Sequence, residues 1–163
     1  MVPERVRVVD EPNGFTMTEL VVVVALLGVI AAVSIPNLWA YIRTASLRGG
    51  AEEMVAVLNG ARHLAIETST TVCVTNDGAH VQYRVGTCGA AARTDLGTDS
   101  HGNIRLANRL RVSGARYLCF NHLGAGAATP APCAANGTLT ITDPTGGATV
   151  SVIMATTGRL RIQ

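Results

Sequence analysis

The chain has 163 residues, of which 48% are hydrophobic and only 4% are aromatic. A chain of this length has room for one apolar anchor and one small domain, which excludes an anchor followed by two full domains. All basic residues are arginines, and residues 101–163 contain six of them against a single acid, Asp143. The C-terminal third is therefore the basic end of a chain whose formal net charge is only +2.

Residues 1–14 form a short polar leader of mixed charge. An ordinary secretory signal has a net positive start, a short apolar core and small residues ahead of the cut. This N-terminus lacks all three features, so the sequence excludes an ordinary secretory signal.

An uncharged apolar segment of sixteen residues runs from Leu20 to Ile35. With residues 15–18 it has about the length that is needed to cross a bilayer. Glu19 lies inside the N-terminal end of this segment, where burying a carboxylate in hydrocarbon costs roughly 2.5–3.5 kcal/mol. Cleavage after Gly14 would create a cationic amine on Phe15, four residues before Glu19 on the same helical face. The carboxylate would then have a partner.

The residues around the Gly14–Phe15 bond resemble the class III signal of type IV prepilins and type II secretion pseudopilins. The resemblance extends over residues 14–36. It rests on Gly14-Phe15-Thr16-Met17-Thr18-Glu19-Leu20 and on the helix residues Gly28 and Pro36. It implies that a prepilin peptidase cuts between Gly14 and Phe15, that Phe15 is N-methylated, and that Glu19 pairs with a neighbour's amine during assembly. It also implies a single-pass protein of the bacterial inner membrane with its C-terminal domain in the periplasm. Such a protein joins a pilus or pseudopilus with other pilins or pseudopilins. The alternative is a plain anchor that is not cleaved.

Beyond Pro36 the helix is expected to continue to about Glu67 as an amphipathic half. Six apolar residues recur there at spacings of three and four, which predicts one buried stripe: Leu47, Ala51, Met54, Leu58, Ala61 and Ala65. The pair Gly49-Gly50 interrupts the pattern and favours a bend.

From Thr70 onward the apolar pattern has a period of two. Residues 70–75 and 80–85 flank a strong hairpin signal, Asn76-Asp77-Gly78-Ala79. Residues 86–103 are expected to form a loop, Pro144 to Gly147 a second hairpin, and strands are expected at 104–113, 115–120, 138–143, 150–154 and 159–162. The sequence thus predicts an α+β fold in which a long N-terminal helix packs on an antiparallel sheet. Its divisions are a leader (1–14), a transmembrane segment (15–36), an amphipathic helix half (37–68) and a β-rich domain (69–163).

Two short motifs are similar to features of the minor-pilin family that includes FimT and GspH. They are Ala61-Arg62-His63-Leu64-Ala65-Ile66 on the helix and Thr157-Gly158-Arg159-Leu160-Arg161 near the end. The resemblance implies a minor pilin or a minor pseudopilin. Nucleophile elbows, phosphate loops and catalytic carboxylate pairs do not occur in the sequence, so we expect neither an enzyme nor a cofactor.

Four cysteines follow the membrane segment, on the side where prepilin processing places the chain outside the cytoplasm and disulfides persist. Of three possible pairings, we favour Cys73–Cys88 and Cys119–Cys133, because each closes a short, turn-rich loop. The alternative is a zinc site that uses Cys119, His122 and Cys133 with a further ligand.

Two Arg-x-Arg pairs alternate with apolar residues near the C-terminus, Arg109/Arg111 and Arg159/Arg161, and Arg105 has the same parity. In a strand this alternation sends the arginines to one face. One reading is a solvated face that keeps the protein soluble. The other is an anion-binding patch whose ligand outside the cell would be DNA backbone. Some FimT-like proteins are DNA receptors in natural transformation and use a Gly-Arg-x-Arg element of this kind, which the resemblance extends to Arg159 and Arg161.

The mature protein should begin at N-methylated Phe15, because Gly14–Phe15 is the only bond with the flanking residues of this signal. Mass spectrometry of the N-terminus in a host with an active prepilin peptidase measures this. A chain that still begins at Met1 in that host would contradict the assignment.

Overall fold

The apolar segment and the amphipathic stripe belong to one helix, α1, which spans Met17–Glu67 in the computed structural model. The structure describes residues 14–78, 80–94, 97–144 and 147–163. The leader up to Asn13, and residues 79 and 145–146 of the two predicted hairpin turns, lie outside the described residues. The chain divides into an N-terminal unit that ends at Ala40 and a larger unit that begins at Tyr41.

The N-terminal unit exposes its apolar side chains all round the helix. The large hydrophobic residues between Leu20 and Ile35 are about half or more exposed. Exposed apolar surface costs about 25 cal/mol per Å² in water, so this unit needs an apolar environment. The helix is long and apolar enough to cross a membrane, as the sequence predicts.

In the larger unit, one face of α1 enters the core. All six residues of the predicted stripe are buried, with exposures of 2% or less. They pack with side chains from both sheets in a single apolar cluster. Burying a Leu or Met side chain contributes roughly 1.5–3 kcal/mol each. The stripe prediction is confirmed, and it identifies α1 as the central element of the core.

Within the described residues, seven strands form two antiparallel sheets. A three-stranded sheet has the order β2-β1-β4, and a four-stranded sheet has the order β3-β5-β6-β7. The strands are β1 (Val72–Asn76), β2 (Val81–Val85), β3 (Arg111–Gly114), β4 (Tyr117–Phe120), β5 (Gly137–Thr142), β6 (Thr149–Met154) and β7 (Leu160–Ile162). The α+β class and the antiparallel pairing agree with the sequence prediction, but the strands form two sheets where the sequence predicted one.

The strand expected at 104–113 is mostly absent. Ile104 makes only an isolated bridge to Val81, and a 3₁₀ turn follows at Ala107–Arg109. Arg109 has a φ of 56°, in the left-handed region, so the chain cannot continue as a strand through it. The alternating burial still holds, because Leu110 and Val112 are buried while Arg109 and Arg111 are exposed. Pairing with β5 starts only at Arg111.

Two polar side chains fix the region around β2. The Tyr83 hydroxyl donates a hydrogen bond of 2.6 Å to the Val57 carbonyl of α1, and burial raises the pKa of Tyr83 to about 12. In the loop after β2, the Asp99 carboxylate accepts hydrogen bonds from Asn103 and His101. These bonds, above all the one from the Asn103 backbone, lower the pKa of Asp99 to about 2. Tyr83 therefore ties β2 to α1, and Asp99 holds its own loop together.

The favoured disulfide pairing is confirmed: Cys73 bonds to Cys88, and Cys119 bonds to Cys133. Cys73 and Cys119 are direct partners on β1 and β4. Each disulfide therefore ties a loop to a strand of the same sheet.

The pair Gly49-Gly50, where the sequence favours a bend, does not interrupt α1, which is helical through both residues. Gly50 is buried and faces Leu110: a Cβ on it would lie 2.2 Å from Leu110 Cδ1. Gly49 is exposed, and a Cβ there would meet no described atom within 4 Å. The absence of a side chain at Gly50 thus leaves space on the helix, and the Leu110 side chain packs there.

Gly50→Ala should lower the free energy of unfolding by up to about 2 kcal/mol, because displacing Leu110 in a packed core costs about 1–3 kcal/mol and the higher helix propensity of alanine offsets up to about 1 kcal/mol of that cost. Gly49→Ala is the matched control, and it should raise the free energy of unfolding by up to about 1 kcal/mol, since alanine is the better helix former. Denaturant unfolding of the two variants measures both effects. Equal effects of the two substitutions would contradict the packing of Leu110 against Gly50.

Candidate functional site

The first candidate site is the start of α1, where Thr16 and Glu19 bond to each other. The Thr16 backbone N–H and hydroxyl donate to Glu19 Oε2 at 3.1 and 2.9 Å, and the Glu19 N–H donates to Thr16 Oγ1 at 3.2 Å. Thr16 directly precedes the helix and Glu19 is its third residue, so this is a capping box. Gly14 and Phe15 are exposed ahead of it. Cleavage between them would leave all three bonds intact.

The capping box gives Glu19 a partner within its own chain, which the sequence prediction did not include. The signal was present, since Thr16-x-x-Glu19 before an apolar run has the spacing of such a box. Both Thr16 donors bond to Oε2, and Oε1 accepts no hydrogen bond from the described residues. One carboxylate oxygen therefore remains available to a further donor.

The second candidate site is the outer face of the four-stranded sheet. We use this name for the side opposite the core, which carries Arg111, Ser113, Thr138, Thr140, Thr142, Thr149, Ser151, Ile153 and Arg161. The four strands contain no Asp or Glu. The outer face is thus a hydroxyl-rich surface with two arginines.

Strand order separates these two arginines. Arg111 lies on the edge strand β3 and Arg161 on the opposite edge strand β7. Their registers differ by four residues along β5, from Thr142 to Thr138. With the usual sheet spacings they are roughly 14 Å apart across the sheet and roughly 13 Å along the strands. The sequence predicted their common face correctly, but they do not form one cluster.

The other arginines extend the charge at each edge. At the β3 edge, Arg105 and Arg109 line a cleft with Arg111, His80 and Asp77. Asp77 Oδ2 lies 3.4 Å from His80 Nδ1 and partly offsets the positive charge. At the β7 edge, the exposed Arg159 directly precedes the strand. Within the described part of the chain, no carboxylate lies within ion-pair distance of these arginines.

The two short motifs of the sequence analysis meet at one tight turn, residues 121–126. Asn121 Oδ1 accepts the N–H groups of Leu123 and Ala125. Arg62 and Ile66 of α1 lie against Gly124, where a Cβ would be 2.7 Å from Arg62 Nε. On its other side, a Cβ on Gly158 would lie 2.2 Å from the Gly124 carbonyl oxygen. The motifs therefore serve packing, and the second one also positions Arg159 at the start of β7.

Residues 12–35 match the family described as the prokaryotic N-terminal methylation motif. The fold is similar to that of the type IV minor pilin FimU of Pseudomonas aeruginosa, with 18% identity, a TM-score of 0.52 and coverage of 76% of this chain and 92% of that chain. The minor pseudopilin EpsH from the type 2 secretion system of Vibrio cholerae gives 15% identity, a TM-score of 0.52 and coverage of 72% and 96%. GspH of E. coli gives 11% identity, a TM-score of 0.54 and coverage of 73% and 88%.

No curated protein sequence matches the chain. The methylation motif lies at the start of a long apolar helix, and the residues beyond it adopt the fold of minor pilins and pseudopilins. The chain therefore combines the N-terminal methylation motif with the fold of solved minor pilins and pseudopilins.

Proposed function

We propose that this protein is a minor type IV pilin of the FimT-like kind that binds the backbone of extracellular DNA along its outer face. The observation that carries the proposal is the acid-free strand surface with an exposed arginine at each edge. Arginine is suited to phosphate, and serine and threonine hydroxyls also donate to phosphate oxygens. The proposed role is one of binding and assembly, without catalysis.

The separation of the two edges favours an extended ligand. Arg111 and Arg161 are too far apart to hold one phosphate, but successive phosphates along a strand of DNA are about 3.4 Å apart in helical rise. Two edges roughly 20 Å apart would therefore have to contact different phosphates of the same backbone or of the two strands. The hydroxyl groups of the threonines lie between them. A polyanion fits this arrangement better than a small anion does.

In this proposal residues 15–36 span the inner membrane and the unit from Tyr41 lies in the periplasm. The prepilin peptidase releases residues 1–14, and other pilins form the surrounding filament. The peptidase, the membrane and the neighbouring pilins are the partners that the methylation motif supports.

The alternative is a minor pseudopilin of a type II secretion system with a purely structural role. It is favoured by the likeness to EpsH and GspH, whose TM-scores of 0.52 and 0.54 are no lower than the 0.52 for FimU. In that case the arginines of the outer face contact neighbouring subunits. A measurement of DNA binding distinguishes between these two proposed functions.

Both functions require assembly, and we propose that the charge of Glu19 serves it. Glu19→Gln keeps the capping-box spacing, since glutamine also accepts the Thr16 N–H, but it removes the charge. Glu19→Val removes both, and Thr16→Val removes the side-chain partner while it keeps the charge. We expect both Glu19 variants to be inserted yet missing from filaments, and Thr16→Val to assemble.

Immunoblots of membrane and of sheared or cross-linked filament fractions measure this. Normal incorporation of Glu19→Gln would contradict the role of the charge, and if Glu19→Val alone were then missing from filaments, the cap would be what matters.

If Arg109, Arg111, Arg159 and Arg161 each neutralise one phosphate, log affinity for DNA should fall with log salt at a slope of about −3 to −4. Arg159→Ala with Arg161→Ala should reduce this slope by about 2 on every DNA sequence, and so should Arg109→Ala with Arg111→Ala. The control is Arg43→Ala with Arg48→Ala, which removes the same charge from exposed positions on α1.

The measurement is a salt titration of DNA binding by the full chain in non-ionic detergent. If the wild type shows no salt-dependent binding at low ionic strength, the DNA-binding function is wrong and the structural pseudopilin remains as the proposed function. An equal loss in the α1 control would contradict the outer face as the binding site. Thermal stability should change little, because exposed charges contribute little to folding.

A further inference from the structure

The two disulfides of this protein lie against each other. Cys73 and Cys119 are cross-strand partners, and Cys88 and Cys133 reach them from the loops. Cys88 Sγ is 3.5 Å from Cys119 Sγ and 3.6 Å from Cys133 Sγ. All four sulfurs lie within 4.8 Å of one another. We call this group the sulfur cluster.

This spacing is close to that of a metal site. Zinc with four thiolates is tetrahedral with Zn–S distances of about 2.3 Å, which places its sulfurs roughly 3.8 Å apart. The two contacts that Cys88 makes with the other disulfide already have about this separation, and all four sulfurs lie within 4.8 Å of one another. The main change needed is that the sulfurs bonded to each other move apart. We propose that the reduced chain binds one Zn²⁺ through Cys73, Cys88, Cys119 and Cys133.

The surroundings of the sulfur cluster favour zinc over other common cations. In the part of the chain that the structure describes, the group contains four cysteines and no His, Asp or Glu, and thiolates select soft or borderline cations over magnesium and calcium. Cys73 and Cys119 are fully buried on paired strands, which fixes half of the ligands. Cys133 is partly exposed and gives an access route for the ion and for a reductant.

The chemistry requires an external reductant, for which a trialkylphosphine serves. Each disulfide reacts with one phosphine and one water to give two thiols and one phosphine oxide. The four thiols then release four protons as their thiolates bind Zn²⁺. The disulfide form and the zinc form therefore exclude each other, and both tie the same two loops to the same two strands. A chain that has not yet been oxidised would keep this part of its fold by binding zinc.

The test uses the full chain in detergent micelles, reduced with the phosphine under anaerobic conditions and titrated with Co²⁺ as a spectroscopic probe. We expect saturation at one equivalent, with thiolate-to-cobalt charge transfer and the d–d bands of a tetrahedral site, and displacement by Zn²⁺. Zn²⁺ should raise the Tm of the reduced chain, or refold it if reduction unfolds it, and should leave the oxidised chain unchanged.

Cys88→Ser should weaken binding by more than the roughly 10–100-fold effect of losing an outer-sphere partner. His122→Ala is the matched control and should leave the spectrum and the affinity unchanged. Absence of cobalt binding by the reduced chain, or full binding by Cys88→Ser, would overturn the proposal. Loss of binding in His122→Ala would overturn it in favour of a site that includes the histidine.

Discussion

The fold of the larger unit depends on one apolar stripe of α1, from Leu47 to Ala65. Its residues are almost completely buried, and they pack in a single cluster with side chains of both sheets. Small sheets are marginally stable unless they pack against another element. The stripe provides that element for both sheets at once. It also leaves the other side of the four-stranded sheet free of core residues, which is why the outer face can be polar and can carry Arg111 and Arg161.

Much of this could be predicted from the sequence, because the deciding signals are local. The stripe repeats with the helical period and the Asn-Asp-Gly hairpin signal is confined to four residues, so both predictions held. Residues 104–113 show where local signals fail. Their alternating burial suits a strand, but strands also need a paired edge. The left-handed Arg109 and the bridge of Ile104 to β2 direct the chain away from such an edge until Arg111.

In the candidate sites, too, local sequence signals predict some features and fail to predict others. Parity predicted that Arg111 and Arg161 would share a face, but parity says nothing of the order in which strands pair. The order β3-β5-β6-β7 places them at opposite edges. The contact between the two disulfides could not be predicted from the sequence either, because it depends on the register of Cys73 with Cys119. The capping box of Thr16 and Glu19 could have been found from spacing alone, because all of its groups lie within four residues.

The strands of the outer face carry Arg111 and Arg161 and no acid, and this sets how the outer face can be used. A neighbouring subunit and a DNA backbone would both be attracted to the same arginines. A subunit packed over the face would cover the same guanidinium groups that DNA would have to contact. If the proposed function holds, subunit packing and DNA binding would therefore compete for this face, and only a copy whose outer face is not covered by a neighbour would bind DNA.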